Sequence, residues 1–481
     1  MEKTFIALIC MTVGLLSCSN DDIVPEEQTP TGVPMTFNIS VDINEAALAK
    51  ATTGTAKTSW VNTDKIYVFF NGLATKYLIL EYDGTKWNST SGGGTLLDTD
   101  LSSLGTKTLT AVYFPVVVDI TYADSKFSFT SDGKPVYNYY LHDTNEGYVV
   151  DGTTVNATLS MSKPSGMAQF HVAGIQDNVA DYTFGCSKIR PVSCKSVATD
   201  GSLTEDVLQA GARLSGFADS NGGIFAGRLT SPDAAADYVF TVASNDHIYT
   251  LTRSNRTLTA GKMYNFPSLS TTGGSNWAIT ATADLYVDLG LSVKWAKYNV
   301  GATTETESGD YFAWGEVTGY NEGKTTYDWS TYAYGSSYNT LTKYCNKSNF
   351  GNNGYTDALT ILLPEDDAAH AALGGKFRMP TRTELKELID NCTWTWTTRN
   401  GINGRLITSS KNGNSIFLPA AGHRANSYLA DSGSNGFYRT SSLDLGDAYL
   451  AFSLVFSSSE VFWQSYPYRY TGYSVRPVYA E

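Results

Sequence analysis

The sequence predicts a mostly β protein, in which two tandem β-sandwiches are followed by a domain that combines helices and strands. Three observations lead to this prediction. From residue 35 onwards apolar and polar residues alternate, as in "MTFNISVDI", which is the period of a half-buried strand. No long helical pattern occurs before residue 270. Two short, capped helical patterns occur only between residues 364 and 391, so helices are expected in the last domain alone.

Composition and charge restrict the kind of partner. The chain has 481 residues, a length that predicts two to four domains. Its net charge is −13, whereas nucleic-acid binding requires clustered Lys and Arg, so no nucleic-acid partner is expected. The 31 tyrosines and the charged fraction of only 17% suit many short strands joined by polar turns.

Residues 1–17 have the pattern of a secretory signal peptide. Lys3 precedes an apolar run over residues 5–16, which is too short to span a bilayer. The run leads into Cys18 in a pattern that resembles the bacterial lipobox, so acyl chains on Cys18 are expected to anchor the protein in the outer membrane. An ordinary signal peptide with an incidental cysteine is the alternative. Residues 18–34 contain Pro and acids without periodicity, which predicts a flexible tether.

The alternating region divides into two blocks, residues 35–165 and residues 166–270, each predicted to be one sandwich. In the first block, Asp83-Gly84 between two apolar runs predicts a β-hairpin turn. Residues 271–284 are rich in Gly, Ser and Thr, which predicts a linker. Residues 285–481 form the last domain.

Several segments of the two blocks resemble a known family. "KTSWVNTDKIYVFF", "LTAVYFP" and "LTAGKMYNFPSL" resemble the fimbrillin family of Bacteroidota pilins, and the resemblance covers residues 35–270. It implies two transthyretin-like β-sandwiches, a lipoprotein precursor, and other pilin subunits as partners. Members that polymerise lose their lipid by cleavage after an arginine at the end of the first strand. The first arginine here is Arg190, so the candidate processing site is Lys50, and the alternative is that the lipid is retained.

Helices are predicted in the middle of the last domain. Pro364 begins "PEDDAAHAALGG", in which the acids suit the positive end of a short helix and two glycines end it. A second helix follows, where Thr381 and Glu384 form a capping box. Its buried stripe is predicted to consist of Leu385, Leu388 and Ile389. Strand patterns precede and follow these helices, which indicates an α+β fold.

The last domain carries a second resemblance. "VDLGLSVKWAKYNVGA", "GDYFAWGE", "GGKFRMPTRTELKELIDNCTWTW" and "GYSVRPV" resemble the domain named for its many paralogues in Fibrobacter succinogenes. The resemblance covers nearly all of residues 285–481 and implies a C-type-lectin-like fold, more distantly similar to formylglycine-generating enzymes. Those enzymes bind copper through late cysteines, and no cysteine follows Cys392. The EPN, QPD and WND motifs of calcium-dependent lectins are also missing from the sequence.

Four cysteines remain beyond Cys18, namely Cys186, Cys194, Cys345 and Cys392. Outside the cytoplasm they can form two disulfides, most simply Cys186–Cys194 and Cys345–Cys392. Buried free thiols are the equal alternative.

No motif in the sequence predicts catalysis. HExxH, GxSxG, the P-loop and GxGxxG are missing, no CxxC occurs, and the five histidines are scattered. We therefore expect neither enzyme activity, nor a cofactor, nor a bound metal. His423, in "AAGHRANS", is the only histidine near a loop of an apparent site, and a plain surface histidine is the more common role for such a residue.

The best candidate for binding is "FWQSYPYRYTGYS". Tyr466, Tyr468 and Tyr470 are spaced by two, so in an extended chain they share a face, with Trp463 near them and Arg469 pointing the other way. The candidate ligand-binding residues are Trp463, Tyr466, Tyr468, Arg469 and Tyr470. Exposed aromatic rings pack well against sugar rings or protein anchors. The alternative is that these aromatic residues pack in the domain's own core.

Three functions are compatible with these observations. The first is a surface lipoprotein of fimbrial type, a pilus tip or accessory adhesin that binds a host or bacterial glycan or protein through its last domain. The second is a lipid-anchored binding protein that captures glycan and never enters a fibre. The third, an enzyme built on the last domain, has no motif in its support.

Overall fold

The computed structural model describes residues 32–43, 59–137, 140–175, 179–219, 221–270, 276–465 and 467–480. Strands make up 47% of the chain and helices 9%, which confirms the mostly β prediction. The predicted signal peptide and tether, with Cys18, and the candidate processing residue Lys50 lie outside the described residues. No helix in the described part of the chain is long and apolar enough to cross a membrane.

The first block contains one short helix, α1 (Asp98–Ser102), and nine strands. The strands are β1 (Thr36–Ile43), β2 (Lys65–Phe70), β3 (Tyr77–Tyr82), β4 (Trp87–Gly92), β5 (Thr108–Tyr113), β6 (Asp119–Ala123), β7 (Lys126–Thr130), β8 (Leu141–Asp151) and β9 (Thr154–Met161). Seven of them form one sheet in the order β1-β9-β8-β5-β2-β3-β4. The hairpin predicted at Asp83-Gly84 is confirmed, because β3 and β4 pair antiparallel with Tyr82 opposite Trp87.

The second block and the predicted linker contribute eleven strands. They are β10 (Met167–Ala173), β11 (Thr183–Gly185), β12 (Ile189–Arg190), β13 (Val192–Ala198), β14 (Leu203–Val207), β15 (Leu214–Asp219), β16 (Gly222–Leu229), β17 (Ala235–Ala243), β18 (His247–Thr257), β19 (Met263–Phe266) and β20 (Ala278–Ala281). Nine strands form one large sheet, in the order β19-β10-β16-β15-β11-β17-β18-β20 with β12 beside β16. Its core is aromatic, with Phe170 and Phe184 stacked at 5.2 Å.

The boundary predicted between residues 165 and 166 is wrong. The second sheet of the first sandwich has the order β14-β13-β7-β6, so a hairpin from the second block completes it. Ser196 of β13 lies opposite Ser128 of β7. The apolar face of β13 explains this placement, since Cys194 and Val197 are buried in the same core as Phe127.

The linker predicted at residues 271–284 is also corrected. Its second half contains β20, which pairs antiparallel with β18 and places Ala281 opposite His247. Trp277 is buried in the second core, and its indole N–H donates to the carbonyl oxygen of Pro267 at 2.9 Å. This stretch therefore extends the second sandwich.

The last domain contains two helices, α2 (Ala368–Leu373) and α3 (Arg382–Asn391), and twelve strands. The strands are β21 (Tyr286–Val287), β22 (Lys294–Ala296), β23 (Phe377–Arg378), β24 (Cys392–Arg399), β25 (Ile402–Ser409), β26 (Ser415–Pro419), β27 (His423–Ala425), β28 (Tyr428–Ala430), β29 (Gly436–Leu443), β30 (Ala451–Phe456), β31 (Val461–Ser465) and β32 (Val478–Tyr479). They form small sheets in the orders β21-β22-β32-β23, β24-β25-β26, β27-β28 and β29-β30-β31.

Both predicted helices are present, with one difference. The capping box of Thr381 and Glu384 begins α3, and the predicted stripe packs on the core through buried Leu385 and Leu388 and half-buried Ile389. The first helical pattern is divided into a 3-10 turn, Pro364–Asp366, and α2. The division lies at Asp367, because its carboxylate accepts from the backbone N–H groups of Ala369 and His370 as an N-cap.

The last domain docks on the second sandwich through a buried arginine. Arg213 is only 7% exposed. Its Nε donates to the carbonyl oxygens of His370 and Ala371 at 3.0 and 2.9 Å, and its Nη2 donates to that of Ala372 at 2.7 Å. These carbonyls belong to the last turn of α2, where a positive charge also faces the negative end of the helix dipole. Burial lowers the pKa of Arg213 to about 9.

The predicted disulfides are absent from the described part of the chain, because all four cysteines there are free thiols. The reason is their placement. Cys194 lies in the core of the first sandwich and Cys186 in that of the second, while Cys345 and Cys392 lie in separate clusters of the last domain. The alternative of buried free thiols is the one observed for Cys186, Cys194 and Cys345, and Cys392 is half-buried.

Candidate binding site

Four tyrosines form a continuous series of ring contacts on the last domain, which we call the aromatic row: Tyr338, Tyr449, Tyr468 and Tyr470. Successive ring centroids lie 5.8, 6.0 and 5.1 Å apart. Tyr468 and Tyr470 stack with 10° between their planes, as their spacing of two predicted. Trp329 packs edge-on against both rings, with centroids 6.2 Å from Tyr468 and 5.1 Å from Tyr470.

The aromatic row reaches the protein surface. Tyr338 is 53% exposed and Tyr468 is 45% exposed, while Tyr449 and Tyr470 are half-buried. The alternative that these rings form only core packing therefore does not hold for the two exposed members. Tyr466 lies outside the described residues, and so does the side chain of Trp463, whose backbone is part of β31.

Arg469 contradicts the expectation that it contacts a ligand, because the side chain is fully buried. Its Nε donates to the hydroxyl of Tyr332 at 2.7 Å, and its Nη1 donates to the carbonyl oxygens of Tyr344 and Ala448 at 3.2 and 3.1 Å. Its guanidinium also lies over the ring of Trp314 at 4.7 Å. Arg469 is a positioning residue that fixes the loops beneath the row.

A buried ion pair holds the loop that carries Trp329. Glu316 is 4% exposed and forms an ion pair of 2.6 Å with Lys324. Its Oε1 accepts from the backbone N–H of Ala333 at 2.8 Å. Burial raises the pKa of Glu316, while the charge of Lys324 opposes that rise. The loop between Lys324 and Ala333 is therefore closed at both ends by one carboxylate.

Carboxylates lie near Tyr470, the last ring of the aromatic row, and near Tyr449, its second ring. Burial raises the pKa of Tyr470, and the nearby charge of Asp328 raises it further. Burial likewise raises the pKa of Tyr449, with added contributions from the charges of Asp447 and Asp444. The acidic groups are close enough to act on these hydroxyls electrostatically.

Another concave region lies where the first two sandwiches meet. It is a cleft of about 500 Å³ whose lining includes Tyr140, His142, Glu205 and Arg228. Nη2 of Arg228 donates to both oxygens of Glu205 at 2.9 and 2.8 Å, and the hydroxyl of Tyr140 donates to the same carboxylate at 2.5 Å. Arg228, Glu205 and Tyr140 satisfy one another, and the bridge joins the two sandwiches.

The other sequence candidate, His423, is not part of the row. Its Nδ1 lies 3.5 Å from Asp431, and its ring packs against Phe437 at 4.5 Å. Within the described ranges, no group of three or more His, Cys, Asp or Glu side chains is placed to hold a metal ion.

Sequence reasoning missed Trp329, Tyr338 and Tyr449. Trp329 and Tyr338 belong to "YDWSTYAYGSSY", residues 327–338, whose aromatic density was a usable signal. Tyr449 had no such signal, because its neighbours in the row come from distant parts of the chain.

Comparison with known proteins yields structures of low similarity. No family model and no curated protein matches the chain. Among solved structures, a candidate cell adhesion protein of Bacteroides ovatus is 15% identical with a TM-score of 0.26, and the alignment covers 52% of this chain and 96% of that protein. A fimbrial protein of the same species is 10% identical with a TM-score of 0.22, covering 94% and 99%. The fimbrial anchor protein Mfa2 of Porphyromonas gingivalis is 13% identical with a TM-score of 0.22, covering 44% and 78%.

Proposed function

We propose that the chain is a cell-surface lipoprotein of fimbrial type, a tip or accessory adhesin that binds its ligand through the aromatic row. The observation that carries the proposal is a series of four tyrosines, two of them exposed, on a last domain that is docked on its body through Arg213. Tyrosine supplies apolar contact area together with a polar hydroxyl, and it is enriched at binding interfaces.

The remaining parts of the proposal follow the sequence. The body is a pair of transthyretin-like sandwiches, the last domain is lectin-like, and Cys18 carries lipid that inserts in the outer membrane. Other pilin subunits are the partners of the body. Strand β1 supports a role for residues near the N-terminus in assembly, because it pairs in parallel with β9 over its whole length at the edge of the first sheet.

A cell-adhesion assay tests the proposal. The gene is deleted in its own host and restored as the native sequence, as Tyr468→Ala, or as the matched control Tyr298→Ala. Tyr298 is a half-buried tyrosine of the same domain that lines a different cleft. The native chain and the control are expected to restore adhesion, and Tyr468→Ala is expected to fail. Full adhesion by the deletion strain, together with fibres that lack the polypeptide, would refute the proposal.

A second candidate is a lipid-anchored binder that does not polymerise. The sequence favours it because the segment after β1, where the resembled family is cleaved after an arginine, contains lysines and no arginine. Between β1 and β2 the basic residues before Lys65 are only Lys50 and Lys57, and no arginine precedes Arg190. Mass spectrometry of the mature N-terminus separates the two. Intact lipid on Cys18 supports an anchor or stand-alone binder, whereas a chain that begins at Ala51 supports a fibre subunit.

A further inference from the structure

We infer that the aromatic row binds a neutral, extended oligosaccharide whose pyranose rings lie along the tyrosines and whose hydroxyls donate to Asp328 and Asp444. This inference deepens the proposed adhesin function and rests on it. It assigns the ligand to a chemical class on the basis of the rings and charges of the row.

The first argument is the shape of the row. The contacts run from Tyr338 through Tyr449 and Tyr468 to Tyr470 in three steps of 5.8, 6.0 and 5.1 Å. The C–H faces of a pyranose ring pack on an aromatic ring as other apolar groups do. The ring planes meet at 74°, 33° and 10° along the row, so the row is a turning series of rings and not a flat platform. A ligand that covers it must be elongated and present apolar faces in changing orientations, as the successive rings of an oligosaccharide do by rotation about their glycosidic bonds.

The second argument is a carboxylate that can accept hydrogen bonds from a ligand at one end of the row. Oδ1 of Asp328 accepts from the backbone N–H and the hydroxyl of Ser330 at 2.8 and 2.6 Å. The pKa of Asp328 is lowered chiefly by the Ser330 hydroxyl, with smaller contributions from the backbone N–H of Thr331 and the charge of Lys324. Both hydrogen bonds from Ser330 go to Oδ1, and within the described ranges no donor reaches Oδ2 at hydrogen-bond distance. The turn therefore fixes the carboxylate through one oxygen and leaves the other for a hydroxyl donor.

A similar arrangement lies beside Tyr449, the second ring of the row. The backbone N–H of Asp444 donates to the carbonyl oxygen of Leu450, the residue after Tyr449, at 3.3 Å. Oδ1 of Asp444 accepts from the backbone N–H groups of Gly446 and Asp447 at 2.6 and 3.0 Å, and within the described ranges no donor reaches its Oδ2. Sugars carry many hydroxyl donors, so two fixed carboxylates along the row suit a polyhydroxylated ligand.

The third argument is charge. Asp328, Asp444 and Asp447 surround the row, and the whole chain carries a net charge of −13. The cations nearest in sequence are engaged, since Lys324 pairs with Glu316 and Lys343 pairs with Asp366. Lys347 donates to the carbonyl oxygen of Gly446. Sialylated and sulfated glycans would therefore be repelled, so among glycans the row favours neutral ones.

Binding to an oligosaccharide array tests the inference, with the chain from Ser19 to the C-terminus as the probe. The array carries neutral hexose and N-acetylhexosamine oligomers, from disaccharide to hexasaccharide, beside sialylated and sulfated glycans. We expect binding to neutral oligomers that tightens with length. Tyr468→Ala is expected to weaken it about tenfold, which corresponds to one lost ring contact. Asp328→Asn is expected to weaken it severalfold, because the amide oxygen keeps the turn while the charge is lost.

Tyr298→Ala is the matched control and is expected to bind as the native chain does, and thermal melting verifies that each variant is folded. Preference for an anionic glycan, or neutral-glycan binding that neither Tyr468→Ala nor Asp328→Asn alters, would overturn the inference. Failure to bind any glycan would overturn it as well. If adhesion of cells still depends on Tyr468 in that case, the adhesin function stands and its ligand is a protein.

Discussion

The Nε atom of Arg469 donates a hydrogen bond of 2.7 Å to the hydroxyl of Tyr332, which in turn donates to the carbonyl oxygen of Trp314 at 2.8 Å. Arg469 lies between the two stacked tyrosines of the aromatic row in sequence, and its side chain points into the domain. One residue therefore links the exposed row to the loops of residues 314–344.

Replacement of this arginine should act through folding. In Arg469→Lys, the shorter ammonium cannot reach the carbonyl oxygens of Lys343, Tyr344 and Ala448 together, so buried acceptors lose their donor. We expect the free energy of unfolding in urea to fall by about 3 kcal/mol. Loss of ligand binding with unchanged stability would show instead that Arg469 touches the ligand.

Docking of the last domain should depend on Arg213. Arg213→Met removes the donor to three carbonyls at the end of α2 and is expected to cost about 3 kcal/mol. Calorimetry should then resolve the last domain as a separate transition at lower temperature. The control is Arg256→Met, which changes an exposed arginine of the same sandwich. A single, unshifted transition in Arg213→Met would contradict the docking role.

Thiol chemistry should distinguish free cysteines from disulfides. The chain from Ser19 retains Cys186, Cys194, Cys345 and Cys392, and burial raises the pKa of both Cys186 and Cys392 to about 11. At pH 8 these thiols are protonated and react slowly. Ellman's reagent is expected to label few thiols in the native chain and all four in guanidinium without a reducing agent. Two labelled thiols in guanidinium would indicate a disulfide.

Two titratable residues at the start of α2, Asp367 and His370, should change the free energy of unfolding with pH in opposite directions. Burial raises the pKa of Asp367 to about 6, although several backbone N–H groups and Arg378 oppose the rise. Between about pH 4 and 6 the native state then holds more protons than the unfolded state, so this contribution falls as pH rises. Burial lowers the pKa of His370 to about 4, helped by the charge of Arg213, and that contribution rises with pH over about pH 4 to 6.5.

His370→Asn isolates the carboxyl, because asparagine does not titrate. Relative to the native chain, this variant should lose up to about 3 kcal/mol of unfolding free energy as pH rises from 4 to 6.5. Asp367→Asn should show the opposite trend. The trend with pH is the readout, since each substitution also has its own constant cost. Urea unfolding at half-unit pH steps measures it, and parallel pH curves for all three chains would contradict the assigned shifts.

Local patterns predicted the local structure well. The hairpin at Asp83-Gly84 and the capping box at Thr381 depend on neighbours a few residues apart, and both are observed. The path of β13 was not predictable in the same way. Its partner β7 lies some seventy residues earlier in the chain, and the shared packing of Cys194, Val197 and Phe127 in one core places β13 in the first sandwich.

The candidate binding site shows the same division. The spacing of Tyr468 and Tyr470 correctly placed two rings on one face. Residue type misled the interpretation of Arg469, since arginine is seldom buried unless its donors are all paired, and those partners are carbonyl oxygens from distant loops. Every residue has a backbone carbonyl, so the sequence does not show which carbonyls a buried arginine contacts. The structure is needed to identify them.

The pairing of β20 with β18 has a mechanical consequence. An adhesive domain on a slack linker would swivel under flow, and the bond to its target would carry tension in changing directions. Here β20 pairs with β18 and Arg213 binds the end of α2. Among the described residues, the last domain is therefore attached to the second sandwich at both of these points. Torque on a captured target would pass directly into the sandwich body.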